Sequence, residues 1–188
     1  AYAAVLLNAG HGPDALSQYE QLRHEQPDNF EFQIGWVSSL AVSNKTAEAL
    51  SAFEQLQRQR PNDSRVWTHY AALAQQAGRT ADALRAYRAA IARDESNPLI
   101  LNNLAWLLLR VNQDLPEALA LAQRAQKLMP QSGTIDDTLA LAYRKMGLHR
   151  DALATYQKML TYLPAEERPR VQSLIGEVKQ ERTNEPRG

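Results

Sequence analysis

The sequence contains no cysteine, and it has no excess of charge of either sign. Without cysteine the chain cannot form a disulfide, a thiolate nucleophile or a cysteine-ligated metal site, and this fits cytosol and periplasm equally. With 21 basic and 21 acidic residues, it lacks the global field that draws a protein onto nucleic acid or an anionic membrane. We therefore predict no nucleic-acid partner, and the compartment stays open between cytoplasm and periplasm.

A long apolar segment is also missing. The longest apolar run, residues 104–109, is far shorter than the roughly 20 residues that a membrane-spanning helix requires. We predict no membrane contact from this chain. It begins at Ala1 with neither an initiator methionine nor an export pattern, and we interpret it as a piece of a longer protein whose parent could be membrane-anchored.

Motifs for catalysis and metal binding are absent as well. No histidine has a second histidine or a carboxylate at metal-ligand spacing on the same helix. The four histidines are His11, His24, His69 and His149. No glycine-rich phosphate loop, nucleophile elbow or kinase motif occurs. We predict no enzyme activity, no catalytic residue, no metal site and no cofactor.

A repeat of about 34 residues dominates what the sequence does contain. Its composition favours helix, because alanine, leucine, glutamine, arginine and glutamate are common while β-branched residues are sparse. In each copy a small residue is followed four positions later by an aromatic or small residue, and by an apolar or small residue after three more. The small residues are spaced by 34, 34, 35 and 34 positions, and they are Ala15, Ala49, Ala83, Ala118 and Ala152.

Turn residues recur in phase with this repeat. Five positions before four of the alanines, and six before Ala118, stands a residue that accepts a left-handed backbone and so ends one helix before the next: Gly10, Asn44, Gly78, Asn112 and Gly147. Twelve positions after four of the alanines stands a proline that stops the second helix: Pro27, Pro61, Pro130 and Pro164. Each copy is therefore predicted to be a helix, a tight turn and a second helix.

The spacing and residue types resemble the tetratricopeptide repeat family, whose 34-residue helix pairs carry small residues at the eighth and twentieth positions. The resemblance implies an all-α fold, a right-handed α-solenoid of stacked antiparallel helix pairs. We expect an array over residues 1–166, a capping helix over 167–182 and a disordered tail over 183–188. The copies are 1–29 with a truncated first helix, 30–63, 64–97, 98–132 with one residue inserted near Asp114, and 133–166.

The resemblance also implies where a partner binds, because in this family the first helix of each pair lines a concave groove. The groove positions, together with Asn103 beside them, predict a partner-binding set of Arg65, Thr68, Gln75, Asn102, Asn103, Trp106, Arg110, Asp137, Arg144 and Lys145. Two adjacent asparagines could clamp a peptide backbone or could instead bond helix ends. Trp106 is either a hot spot or a core residue. The excess of basic residues favours a carboxylate-bearing ligand, with a merely solvated face as the alternative.

These observations favour a non-catalytic protein-protein interaction scaffold that binds a peptide or helical segment. Residues 101–108 and 136–140 also resemble large bacterial tetratricopeptide lipoproteins of PEP-CTERM and exopolysaccharide systems, which would imply a periplasmic scaffold. Two alternatives stay open. The chain could be a substrate-recruiting arm of a larger enzyme such as a glycosyltransferase, or a self-associating array that forms a homodimer through terminal helices exposing Leu6 and Leu7.

Overall fold

The structure, a computed structural model, describes residues 2–183, and these residues form helices and loops without a β-strand. The all-α prediction is confirmed. The chain divides into unit 1, up to Arg93, and unit 2, from Asp94. Unit 1 contains α1 Tyr2–Asn8, α2 Gly12–Glu25, α3 Phe30–Val42, α4 Thr46–Gln59, α5 Ser64–Gln76 and α6 Thr80–Ile91. Unit 2 contains α7 Pro98–Arg110, α8 Leu115–Leu128, α9 Gly133–Lys145, α10 His149–Tyr162 and α11 Arg168–Thr183.

The turns within the helix pairs have the predicted backbone. All five predicted turn residues lie between the two helices of a pair and have positive φ: Gly10 79°, Asn44 61°, Gly78 74°, Asn112 54° and Gly147 72°. The residue after each turn donates its N–H back to the first helix, as Arg79 does to Ala74 O at 2.8 Å. This bond satisfies a carbonyl that the helix end would otherwise leave without a partner.

The alanines that define the repeat lie at the closest helix contacts. Ala15, Ala49, Ala83, Ala118 and Ala152 are all fully buried. Short side chains let the two helices of a pair approach, and aromatic rings such as Phe53 and Tyr87 fill the adjoining space. The predicted stacking of antiparallel helix pairs is therefore present within each unit.

Arginines at or near the end of the second helices hold the loops between copies, and the repeat pattern did not reveal them. Arg60 Nη2 donates to Asp28 O at 2.7 Å, and Arg124 Nη2 donates to Glu95 O at 3.1 Å. Arg93 donates in the same way to Pro61 O. Each bond satisfies a loop carbonyl one copy earlier in the chain.

The fourth copy accommodates its extra residue at the start of α8. Asp114 adopts a left-handed φ of 41°, and its side chain accepts the backbone N–H of Glu117 at 3.1 Å. The insertion thus adds a second left-handed residue after Asn112 without lengthening either helix.

The last helix, α11, covers the end of unit 2. It buries Val171, Ile175 and Val178 in a cluster that includes Tyr156 and Met159 of α10. Thr183 is the last residue of α11, and residues 184–188 of the predicted tail lie outside the described part of the chain. None of the described helices has both the length and the apolar character needed to cross a bilayer.

Candidate functional site

The predicted partner-binding residues fall in both units. Arg65, Thr68 and Gln75 lie on α5 in unit 1. In unit 2, α7 carries Asn102, Asn103, Trp106 and Arg110, and α9 carries Asp137, Arg144 and Lys145. Nothing among residues 2–183 forms a group of three metal-ligating side chains, so the described structure offers no metal centre to weigh against a binding surface.

In unit 1, Arg65 joins α5 to the start of α3. Its guanidinium carbon lies 3.9 Å from the centroid of the Phe30 ring. Its nitrogens lie 2.7 Å from an oxygen of Asp63 and 3.6 Å from an oxygen of Glu31. The hydrogen bond from Arg65 holds the pKa of Asp63 below its usual range. The charge of Arg65 is therefore already balanced by two carboxylates.

The other two predicted residues of unit 1 differ in how their polar atoms are used. Thr68 donates its hydroxyl to Ser64 O at 2.8 Å, a local bond within α5. Gln75 is half-buried, and its Oε1 is buried without a hydrogen-bond partner among residues 2–183. Gln75 is thus an acceptor in unit 1 that a donor could satisfy.

In unit 2, a cavity of about 350 Å³ lies among α7, α9, α10 and α11. We call it the α9 cavity, and its lining includes Trp106, Asp137, Leu141, Arg144, Tyr156, Arg170 and Leu174. Trp106 is half-buried, and the guanidinium carbon of Arg110 lies 4.9 Å from its ring centroid. Three of the predicted residues, Trp106, Asp137 and Arg144, therefore line one cavity.

The remaining predicted residues of unit 2 lie around this cavity or away from it. Asn102, one turn before Trp106, is only 4% exposed, and its Oδ1 has no partner among residues 2–183. Asn103 is half-buried on the same helix. Lys145 is exposed, and its Nζ lies 3.4 Å from Asn112 Oδ1. A clamp that uses both asparagines from the surface is not what the structure shows, because Asn102 faces the protein interior.

Helix α11 pairs with both charged residues that α9 contributes to the cavity. Arg144 donates Nε to Glu181 at 3.2 Å and Nη2 to Glu177 at 3.2 Å, and it makes a shorter bond to the second oxygen of Glu181. Asp137 Oδ2 accepts from Arg170 at 2.6 Å. The bonds from Arg144 lower the pKa of Glu181.

The ion pairs weigh against a carboxylate-bearing ligand at Arg65 and Arg144, two of the four basic residues on which that expectation rests. That expectation counted basic side chains on the first helices, but Arg65 and Arg144 already hold carboxylates. A ligand carboxylate would have to displace these partners, so its net gain would be small. The unsatisfied groups are acceptors instead: Asp137 Oδ1 and Asn102 Oδ1 are buried without a donor among residues 2–183.

Asp136, the neighbour of Asp137, is a polar core residue that the predicted binding set does not include. It is fully buried, its oxygens accept from Gln126 Nε2 at 2.5 Å and from the Tyr162 hydroxyl at 2.6 Å, and Lys158 Nζ lies 3.6 Å away. Burial and the bond to Asp136 raise the pKa of Tyr162. The sequence does mark Asp136 as unusual, because its carboxylate occupies the repeat position that holds Trp67 in the third copy.

Comparisons with known proteins agree with this architecture. A family model described as tetratricopeptide repeat matches residues 37–168, and a second with the same description matches residues 3–64. A comparison with curated proteins gives no match.

Three solved structures with the same fold differ in how much of their own length the match to this chain covers. Yeast Tom70 is 18% identical with a TM-score of 0.84, covering 96% of this chain and 39% of its own. The protein TTC0263 of Thermus thermophilus is 19% identical with a TM-score of 0.69, and the match covers 95% of this chain and 96% of TTC0263. The protein MamA is 14% identical with a TM-score of 0.68, and the match covers 85% of this chain and 86% of MamA. The chain thus spans well under half of Tom70. Because a family model covers most of its residues, the chain belongs to the tetratricopeptide repeat family.

Proposed function

We propose that this chain is a non-catalytic protein-interaction scaffold and that, in unit 2, a peptide or helical segment of another protein binds at the α9 cavity. The observation that carries the proposal is the cavity itself, which brings Trp106 of α7 together with Asp137 and Arg144 of α9. Both matching family models describe tetratricopeptide repeats, and the predicted residues that meet here come from consecutive first helices.

The chemistry of the cavity suits a polypeptide ligand. Trp106 offers a large, half-buried ring, and buried aromatic anchors carry much of the energy of protein interfaces. Asp137 Oδ1 lacks a donor among residues 2–183, and a peptide N–H group would supply one. The ion pairs to α11 fix Arg144 and Asp137 in place, so binding would require little rearrangement of these side chains.

The experiment is a selection of phage-displayed random peptides on the whole chain, followed by fluorescence anisotropy with a selected peptide. Trp106→Ala should weaken binding by about 2 kcal/mol or more, roughly 30-fold in Kd. Trp67→Ala is the matched control, because Trp67 is also a half-buried tryptophan on a first helix but lies in unit 1. Equal Kd values for the wild type and Trp106→Ala would remove the α9 cavity as the site.

Self-association is a second candidate function, and a specific observation favours it. Tyr2 and Val5 on α1 are 65% and 62% exposed. Leu6 and Leu7, which the sequence predicted to be exposed, are instead half-buried against the core cluster of unit 1 that includes Tyr19. Exposed apolar side chains on a helix surface are suited to docking against a second copy. Sedimentation equilibrium would test this, with a dimer that Val5→Glu dissociates as the supporting result and a monomer at high concentration as the opposing one.

The cellular setting is a finer part of the proposal, supported only by the sequence resemblance of residues 101–108 and 136–140. On that basis the scaffold belongs to a bacterial secretion or exopolysaccharide assembly system. A recruiting arm of a larger enzyme is the alternative, and a catalytic domain in the full-length gene would decide for it.

A further inference from the structure

Unit 1 contains a cleft that the predicted binding set does not include. It has a volume of about 440 Å³ and lies among α2, α3 and α4, with Trp36, Val37 and Leu56 as its apolar lining. We call it the α2–α4 cleft. Its position between two second helices separates it from the first-helix residues Arg65, Thr68 and Gln75.

Beside the cleft, the second copy departs from the repeat at its eighth position. The other complete copies have a fully buried alanine there, namely Ala71, Ala105 and Ala140, whereas the second copy has Val37. At the same time α3 packs tightly on α2: a Cβ added at Gly35 would lie 2.2 Å from Tyr19 Cε1. Val37 thus lines the cleft, while Gly35 of the same helix lies against α2.

One wall of the cleft carries an arginine with unused donors. The guanidinium carbon of Arg23 lies 3.7 Å from the Trp36 ring centroid, and no carboxylate of residues 2–183 lies within ion-pair distance of it. Arg93 stacks on Trp67 at 4.3 Å in a similar way, but it donates to Pro61 O and, at 2.6 Å, to Ala89 O. Stacking fixes the plane of Arg23, so its fork of donors is oriented for an acceptor.

Glutamines supply the remaining polar groups. Gln33 Nε2 donates to Pro27 O at 2.5 Å, which leaves Oε1 buried without a partner among residues 2–183. Gln55 and Gln59 of α4 line the opposite wall. The other charged or titratable side chains lining the cleft are Glu20 and His24 of α2, and Glu20 lies outside ion-pair distance of Arg23. The cleft therefore offers oriented donors, a buried acceptor and an apolar floor together.

We propose that the α2–α4 cleft binds an extended peptide segment with an aspartate or glutamate beside small apolar residues. The ligand carboxylate accepts from Arg23, a ligand backbone N–H donates to Gln33 Oε1, and an apolar side chain packs on Trp36 and Leu56. The volume lies within the range of small-ligand pockets. This second site goes beyond the α9 cavity, which lies in the other unit.

The test uses two pools of acetylated, amidated pentapeptides that are identical except for a central aspartate or asparagine, with alanine, leucine, serine and valine mixed at the flanking positions. Each pool is titrated into the ¹⁵N-labelled whole chain while the indole N–H cross-peaks of its three tryptophans are followed by NMR. Loss of one peak in Trp36→Phe assigns Trp36. The aspartate pool should shift that peak, and the asparagine pool should require about tenfold higher concentration or more.

Two arginine variants locate the effect. Arg23→Gln should remove the preference for the aspartate pool, whereas Arg93→Gln, the matched control on Trp67, should keep it. An unmoved Trp36 peak with both pools, equal shifts by both pools, or an unchanged preference in Arg23→Gln would overturn the proposal. The comparison of the pools on the wild-type chain does not depend on any variant folding. The Trp106 peak reports the α9 cavity separately, so the two sites can fail independently.

Discussion

The α9 cavity of unit 2 and the α2–α4 cleft of unit 1 are both lined by a tryptophan and an arginine, but the two arginines differ in whether they form ion pairs. In the cavity, Arg144 is held by Glu177 and Glu181. In the cleft, Arg23 stacks on Trp36 and pairs with no carboxylate of residues 2–183. The difference teaches that a basic residue predicts an acidic ligand only when neighbouring helices leave it unpaired.

The units also differ in how their helices are joined. In unit 2 a buried carboxylate, Asp136, connects α8, α9 and α10. In unit 1 the tight contact of α3 is made through Gly35, which lies against the Tyr19 ring. The first arrangement depends on satisfied polar groups and the second on the absence of a side chain.

Removing the Asp136 carboxylate should have the largest effect on stability. Asp136→Ala leaves Gln126 and Tyr162 without their buried acceptor, and we expect a loss of about 2–4 kcal/mol in the free energy of unfolding. Urea denaturation followed by circular dichroism measures it. Glu95→Ala, at an exposed loop position of unit 2, is the control and should change little. A loss below about 0.5 kcal/mol for Asp136→Ala would contradict the role of this network.

The contact of α3 with α2 should be the next most sensitive. Gly35→Ala places a Cβ against the Tyr19 ring, and the forced shift should cost about 1–3 kcal/mol. Gly176→Ala is a matched control, because Gly176 lies in α11 with open space around the added Cβ. It should stabilise the chain by about 0.5–1 kcal/mol through helix propensity. Thermal unfolding of both variants compares them, and equal shifts would remove the close approach as the cause.

A turn substitution separates backbone strain from packing. At Gly78 an added Cβ meets nothing within 4 Å, but φ is 74°, so Gly78→Ala should cost about 1–2 kcal/mol from conformation alone. Asn44 and Asn112 hold the same turn with asparagine, so Gly78→Asn should recover part of the loss. If alanine and asparagine at residue 78 gave the same unfolding midpoint, the left-handed turn would not be the source of the effect.

The ion pair between Arg144 and Glu181 should give the smallest effect. Because the fold lowers the pKa of Glu181, its stabilisation is present above the ordinary carboxyl pKa of about 4.3 and is lost as pH falls through the folded-state pKa. Glu181 is 41% exposed, so screening should limit the contribution to less than about 1 kcal/mol. Urea midpoints of the wild type and Glu181→Gln should differ at pH 7, and the difference should shrink as the pH falls through the folded-state pKa of Glu181. A constant difference across that range would contradict the pairing.

The turns of the fold could be predicted from the sequence, whereas the ion pairing of the site residues and the presence of the cleft could not. Gly10 and Asn44 mark their turns because left-handed φ is a requirement of single residues. The pairing of Arg144 with Glu181 depends on which face α11 presents 37 residues later, and no local pattern contains that information. The α2–α4 cleft is lined by side chains of three helices, so no local pattern in the sequence marks it.

The most direct test of the account is an NMR titration of the whole chain with a phage-selected peptide, following the three indole peaks together. The account predicts that the Trp106 peak shifts to saturation while the Trp67 peak stays in place, and that Trp106→Ala loses roughly 30-fold in affinity. A Trp106 peak that stays fixed when the peptide has saturated the protein would contradict binding at the α9 cavity.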